Sequence, residues 1–542
     1  DHRAYARGVY QALLTRKYLT SKVMPLLSAL AVMLCTAMVL IVWSVMGGFL
    51  KTFLEAGRTL QGDVSIAWPN AGFPHYQELV SKLEADPLVE AAAPMIETYG
   101  QLGLPGRTEY VVVKGIDPEA YHRVTSFRDV LWWKPLDKPL PKDTEREDWR
   151  LDTRDVWERL YANGTTLTRP ERDQATGELV AKPAAVLGIE ASGLNFRDVK
   201  GFYKPQSAIV RTSKGAEVVQ RMLPVSGDVT LTVLTLDRQG KVVDSITRAF
   251  PVANEFQTGM FEIDRRWVFV PLESLQAMLQ MDAGKRLRAG AGADTTDKPA
   301  QGGSPVRVVI DPRTGEERFE SPADDPERLV EEPARVTNIV VKGAAGVPVE
   351  QVRDRCREIY EQFHAVHKGQ VPEVWEMAFL TWKDQNRNFI AAVEKETGLV
   401  LFIFSFISMT AVFLVLAIFW SMVSEKTKDI GTLRALGASR MGIAWLWIRY
   451  GLAIGVVGAA MGVALAYAVV LNINPIHEWL GRTFNLYIWD PRVYYFTRIP
   501  SSVETVKAVW VGIAGVLSCG LGAAWPAIRA ARMDPVRALR FE

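Results

Sequence analysis

Only two of the six histidines, His364 and His367, stand at a spacing that could do chemistry. His-x-x-His near the end of a predicted helix offers two imidazoles on one face, half of a tetrahedral zinc site. No third ligand accompanies them, so no metal is expected. Gly240-Lys241 begins like a phosphate loop but continues with Val242, and no Gly-x-x-x-x-Gly-Lys-Ser/Thr run occurs. The chain therefore cannot cradle ATP phosphates in the usual way. Neither a Gly-x-Ser-x-Gly elbow nor a His-Glu-x-x-His helix is present. Asn163-Gly164-Thr165 fits an N-glycosylation acceptor, a match common by chance. These residues assemble no catalytic constellation. The expectation is a protein that is not an enzyme and binds no cofactor itself.

The most informative stretch is Ser424–Arg440, SEKTKDIGTLRALGASR. Its length suits a short helix. Ser424 is placed to cap the amide end, and Glu425 suits the positive end of the dipole. Gly437 fits a left-handed C-cap, and Ser439 fits the start of the next helix. Ile430, Leu433 and Leu436 recur every three residues, while Lys426, Lys428, Asp429 and Arg434 are polar. Two readings follow: an apolar knob for a groove on a soluble partner, or an interfacial helix anchored by its basic residues.

What must position this turn is a set of membrane spans. Charged residues make up 23% and hydrophobic ones 48% of the chain, an average that conceals segregation. Residues 23–49 hold no charge, enough to cross a hydrocarbon core of ~30 Å and too long for a cleaved signal. Residues 397–423, 443–471 and 506–528 are three further apolar blocks. Gly455, Gly458, Gly462 and Ala466 fall at helical spacing, which suits close helix packing. No Asp, Glu or His interrupts the blocks, which argues against an ion-coupled transporter. Net charge is only +2 with no basic run, so nucleic acid is not an expected partner.

Basic residues set the orientation. Arg3, Arg7, Arg16, Lys17 and Lys22 precede the first span, Lys426, Lys428, Arg434 and Arg440 separate the second and third, and Arg529, Arg532, Arg537 and Arg540 follow the fourth. Residues 1–22, the turn 424–440 and the tail 529–542 are thus expected in the cytoplasm. Residues 50–396 and 472–505 are then expected outside. The fold class is an integral membrane α-helical protein with four transmembrane helices. A large mixed α/β domain is inserted between the first two.

In the insert, strand-like runs lie at Val64–Ala67, Tyr110–Lys114, Val229–Leu236, Arg266–Val270, Val306–Ile310 and Val336–Val341. Helical periodicity marks His75–Leu83, Leu272–Met281 and Val349–Phe363. Trp375–Lys395 reads as one helix continuing into the second span, with Trp382, Phe389 and Val393 on one face. Insertions are expected near 128–183 and 282–335. The first carries Trp132, Trp133 and Trp149 and is either an embellishment or a docking surface.

Glu425-Lys426 followed by Asp429-Ile430-Gly431-Thr432-Leu433-Arg434-Ala435-Leu436-Gly437-Ala438 resembles the turn of the FtsX/MacB-type permeases of ABC transporters. Pro526-Ala527 and Asp534-Pro535-Val536-Arg537-Ala538-Leu539-Arg540 resemble that superfamily's ending. Ser44-Val45-Met46-Gly47-Gly48-Phe49, Thr258-Gly259-Met260-Phe261-Glu262-Ile263-Asp264 and Ile499-Pro500 are similar to segments of its lipoprotein-releasing (LolC/LolE-type) members. The resemblance implies a bacterial inner-membrane permease with a periplasmic insert. It also implies a second permease subunit, identical or related, and a cytoplasmic ATPase dimer that binds ATP and Mg. Glu425, Lys426, Asp429, Ile430, Leu433, Arg434, Leu436 and Gly437 would then couple to that ATPase. A lipoprotein would enter from membrane lipid between the first and second spans and pass to a periplasmic carrier. Val45, Met46, Phe49, Phe389, Val393 and Leu401 are the candidate substrate-contact residues, or they pack subunit against subunit. The resemblance leaves two alternatives: a MacB-like exporter, or an FtsX-like scaffold controlling a cell-wall hydrolase.

Overall fold

The computed structural model describes residues 23–68, 72–104, 106–134, 154–173, 176–197, 203–205, 207–211, 217–221, 227–236, 242–287, 307–310, 317–320, 329–484, 499–534 and 538. The chain forms two compact units, residues 55–386 and residues 1–54 with 387–542.

The first unit is the inserted domain. Helix α1 (Val23–Arg58) ends in it, and strand β1 (Val64–Ala67) follows. Helix α2 (Tyr76–Glu84) leads to β2 (Val89–Leu104). Near the far end of the unit, β8 (Asn338–Gly343), α7 (Val349–Val366) and β9 (Ala378–Thr381) repeat the strand–helix–strand pattern. The four strands lie in the order β9-β1-β8-β2, every neighbour antiparallel. This is a split βαβ arrangement of the ferredoxin-like kind. Helix α7 earns its place by pattern: Val352, Cys356, Ile359, Tyr360 and Phe363 form one buried stripe at helical spacing. Burial pushes the Cys356 thiol up to about 12, so it behaves as a small hydrophobe.

Between β2 and β8 the chain builds a second sheet element. Strand β3 (Arg107–Ile116) pairs with β2, and β4 (Ala185–Gly188), β5 (Asp228–Leu236), β6 (Val242–Phe256) and β7 (Trp267–Pro271) complete the order β5-β6-β4-β7-β3-β2. Thr230–Val233 of β5 then pairs with Gly100–Gly103 of β2, so the sheet closes into a six-stranded barrel. A Cβ on Gly100 would lie 2.7 Å from the Thr232 carbonyl oxygen, so the seam needs glycine there. In β5, Val229, Leu231 and Val233 point inward and Thr230 and Leu234 outward, the alternation that one buried face demands. The closed barrel is an addition to the expected mixed α/β domain.

One expectation for this unit is corrected, and one open alternative is narrowed. Trp375–Lys395 is not one helix: it contains β9, and Thr381 with Asp384 forms a capping box, after which Asn386 breaks the backbone. Pairing of β9 with β1 wins over helical periodicity. Of the two readings of Trp132 and Trp133, their burial favours the embellishment over the docking surface. They are 6% and 1% exposed and pack on Tyr203 and Trp157 respectively. Trp149 lies outside the described residues.

The second unit carries the apolar helices. Besides α1, these are α8 (Arg387–Glu425), α10 (Arg440–Leu471) and α12 (Thr505–Arg532), each long and apolar enough to cross a membrane. Helix α9 (Thr427–Ala435) joins α8 to α10, and α11 (Ile473–Phe484) follows α10. The small residues of α10 serve packing. A Cβ on Gly458 or Gly462 would lie 2.8 Å or 2.6 Å from the carbonyl oxygens of Ala29 or Met33 on α1. Helix α8 packs on α12 through Val415 and Phe419 but leaves Phe402, Phe406 and Phe413 exposed.

Candidate functional site

Helix α9 is built as a stiff, capped turn. Lys426 alone separates it from α8, and backbone bonds run from Lys426 N to the Met422 carbonyl and from Ile430 N to that of Lys426. Ser424 therefore does not cap the helix, because α8 continues through it. Lys426 and Asp429 form an ion pair of 2.7 Å. At the other end Gly437 has φ +90°, with Gly437 N bonded to Arg434 O and Ala438 N to Leu433 O. That is a Schellman termination, which only glycine adopts without strain. Two residues on, Ser439 Oγ accepts from Gly442 N and starts α10. The Schellman end and the Ser439 cap that follows it make the turn a defined lever arm between two spans.

Side-chain placement splits the expected apolar knob. Ile430 is buried against Val423, Ile443 and Ala530, so it roots α9 to α8, α10 and α12. Leu433 and Arg434 are half-buried. Leu436 is 80% exposed beside Gly437, and Glu425 and Asp429 are exposed. The outward surface is thus Leu436 among Glu425, Asp429 and Lys428, not a row of three apolar residues.

The second group of candidates lies where α1 and α8 carry aromatic residues. Val45, Met46 and Phe49 on α1 are half-buried, as are Phe389 and Leu401 on α8, whereas Val393 is buried. The structure joins Phe49 to Phe389 through Phe53: ring centroids are 6.5 Å apart for Phe49–Phe53 and 3.5 Å for Phe53–Phe389. Phe53 was missed, although it stands one helical turn beyond Phe49. Nearby, a Cβ on Gly48 would fall 2.5 Å from the Ser501 backbone, and Ser502 N donates to Ser44 O at 3.0 Å. The Ser44–Phe49 and Ile499–Pro500 segments are therefore adjacent in space, and Gly48 is what permits it. Deeper in the unit, α1, α8 and α12 leave a cavity of about 130 Å³ lined by Thr36, Ser408, Val412 and Ser518 among others.

Two other motifs are structural. In Thr258–Asp264, the buried Asp264 carboxylate accepts from Thr258 N, Thr258 Oγ1 and Gly259 N, and it knits the turn ahead of helix α5 (Phe261–Arg266). His364 and His367 face different carboxylates, Glu373 at 3.3 Å and Glu78 at 2.8 Å. Bonds from Lys82 and His367 hold the Glu78 carboxyl below its usual range. Among the described residues no group of three or more His, Cys, Asp or Glu is arranged to hold a metal.

Residues 401–535, from α8 through α12, match the FtsX-like permease C-terminal family. The lipoprotein-releasing system transmembrane protein LolC of Xylella fastidiosa is 28% identical over 161 residues, 30% of this chain and 39% of that protein. LolC of Neisseria meningitidis serogroup B is 27% identical over 164 residues, again 30% and 39%. The macrolide export ATP-binding/permease protein MacB of Bdellovibrio bacteriovorus is 24% identical over 211 residues, 38% of this chain and 28% of that one. The match thus spans about two-fifths of the LolC relatives' length. These matches support an ABC transporter permease of the FtsX/MacB type. Its likeness within that superfamily runs to the lipoprotein-releasing permeases.

Proposed function

We propose that the chain is a bacterial inner-membrane permease that passes the motion of a cytoplasmic ATPase dimer to its inserted domain in the periplasm. It pairs with a second permease subunit and extracts lipoproteins from the outer leaflet for a periplasmic carrier. The carrying observation is the capped turn α9 between two spans, inside the segment that matches the FtsX-like family. A turn fixed by a Schellman end and rooted by Ile430 transmits a push rather than absorbing it. Leu436, exposed beside it, offers the apolar contact. ATP and Mg would be bound by the partner ATPase, so the chain supplies no chemistry of its own.

Extraction is the physical need for such a lever. Each acyl methylene buried in a bilayer contributes about 0.8 kcal/mol, so an anchored lipoprotein leaves the membrane only when work is done on it. The Phe49–Phe53–Phe389 series supports an apolar lining on the first two spans where such a chain would enter. Photo-crosslinking from position 46 or 393 tests this. Labelling of a lipoprotein is the expected result, and labelling of a permease subunit alone would count against it. A second test is Leu436→Asp. It should leave the chain in the membrane while uncoupling ATP hydrolysis from transport, and unchanged coupling would remove α9 from the mechanism. A second reading, a MacB-like exporter of another periplasmic substrate, is favoured by the longer alignment with the MacB relative. Identification of the chains and lipids that co-purify from membranes distinguishes the two.

A further inference from the structure

Helix α11 is separated from the apolar helix α10 by the single residue Asn472. Helix α10 has 32 residues and is about 48 Å long, more than the ~30 Å hydrocarbon core, so α11 begins at a membrane surface. Its sequence, INPIHEWLGRTF, is two-faced. At 100° per residue, Ile473, Ile476, Leu480 and Phe484 share one arc with Trp479 at its border. Asn474, Glu478 and Arg482 occupy the opposite arc, with Glu478 and Arg482 paired at 3.3 Å. The apolar arc is open: Ile476 is 37%, Trp479 57% and Phe484 64% exposed. Trp479 and Phe484 pack edge to face, which presents one aromatic wedge instead of two separate side chains. Asn474 also fixes where the helix lies. Its side chain accepts from Ile499 N at 2.8 Å and donates to Ile499 O at 3.4 Å. Ile499 leads into α12 at Thr505, so the start of α11 is held beside the ends of two spans.

From this juxtaposition we infer that α11 is a lipid-surface helix. Its Ile476–Trp479–Phe484 face is seated at the boundary between headgroups and acyl chains of the leaflet where α10 ends. An amphipathic helix in that position buries its apolar face about 5–10 Å into the interface, and Trp is the side chain most suited to the border. The occupant of the face is the bilayer itself, because the helix is tied at both the α10 and the α12 side to the level where lipid begins. The inference rests on the membrane-spanning reading. It adds a second contact with the leaflet from which substrate is proposed to be drawn, one that loads the surface without crossing it.

The test uses the full chain reconstituted in phosphatidylcholine vesicles brominated either near the carbonyl end or near the methyl end of the acyl chains. The emission that disappears on Trp479→Phe reports Trp479 alone. The expected result is quenching by the carbonyl-end bromines, weaker quenching by the methyl-end ones, and little by aqueous iodide. Trp525→Phe, on the exposed face of α12, is the control for the spans. Quenching of the Trp525 component with none for Trp479 would overturn this inference and spare the membrane reading. Loss of both would overturn the membrane reading. Iodide quenching of Trp479 places the face in water, and shielding from both bromine and iodide places it under protein. Either result rejects the lipid assignment.

Discussion

Phe127, Phe250, Phe256 and Phe269 of the inserted domain are all fully buried, while Phe402, Phe406 and Phe413 of α8 are 62%, 51% and 60% exposed. The same side chain is thus used in two ways. In the domain, Phe269 sits among Tyr121, Phe127, Phe256 and Trp267, at centroid distances of 5.1–6.2 Å. That cluster is a water-excluding core held by close packing. On α8 the phenylalanines are available to whatever surrounds the helix, and only an apolar surrounding makes that placement favourable. The inserted domain carries its own solvent-free interior, and the helical unit borrows one from the bilayer or from a partner.

The largest effect expected from this contrast is on folding. Phe269→Ala should destabilise the inserted domain by about 3–5 kcal/mol, because it removes transfer energy and leaves a cavity. Phe406→Ala should change unfolding by less than about 1 kcal/mol, as substitutions outside a packed core do. Pulse proteolysis of the purified full-length chain in denaturant measures both. Equal losses for the two variants would break the comparison and mean that α8 has a protein cover.

A titratable group sharpens it next. Glu255 is fully buried beside the barrel and accepts from Trp133 Nε1 and Asn195 Nδ2, both at 2.6 Å, and from Ser192 Oγ. Burial pushes its carboxyl up to about 7, and these three bonds only partly offset that. The folded domain therefore holds a proton that the unfolded chain releases at an ordinary carboxyl pKa. The stabilisation is full below the unfolded value of 4.5 and is lost as pH rises through about 7. Between pH 5 and pH 8 the domain should lose about 2.5 kcal/mol of stability. Glu255→Gln should flatten that slope and leave the behaviour of the α8 phenylalanine variants untouched. A slope that survives in Glu255→Gln would assign the effect to another group.

How far these features were legible in the sequence depended on who supplies each residue's partner. Strands β1, β5, β7 and β8 were readable because Val and Ile recur at strand spacing or in short apolar runs. Strands β2 and β6 were not. Ala91–Ala93, Pro94, Gly100 and Gly103 in β2, and Pro251 in β6, are poor strand formers placed there by neighbouring strands. Gly100 looks like a breaker locally and is the residue that lets the barrel close. The turn α9 was visible from Gly437 and Ser439, whose capping chemistry is local. Its apolar face was misassigned because the spacing of Ile430, Leu433 and Leu436 cannot say which of them α8, α10 and α12 will cover. Phe53 went unread because its ring contacts include Phe389, more than 300 residues away in the chain. Trp132 and Trp133 left a docking surface open as one of two readings because Asn254 and Glu255, which bond Trp133, lie 121 and 122 residues from it.

The smallest expected effect compares one chemistry in the two units. Thr381 starts a helix after β9: its Oγ1 accepts from Asp384 N at 3.2 Å, and the Asp384 carboxylate accepts from Thr381 N at 3.0 Å. Ser439 does the same for α10, its Oγ accepting from Gly442 N at 3.0 Å. Thr381→Ala should cost about 1–2 kcal/mol, since Thr381 is 2% exposed and its loss removes the cap from the Asp384 amide and opens the capping box. Ser439→Ala should cost about 0.5 kcal/mol, because Ser439 is exposed and water can replace the hydroxyl. The readout for Ser439 is coupling rather than unfolding. If α9 works as a stiff arm, loosening the cap between it and α10 should lower transport per ATP hydrolysed without reducing the amount of permease in the membrane. An Ala variant with unchanged stoichiometry of coupling would show that the stiffness resides in the Gly437 termination and the rooting of Ile430 alone.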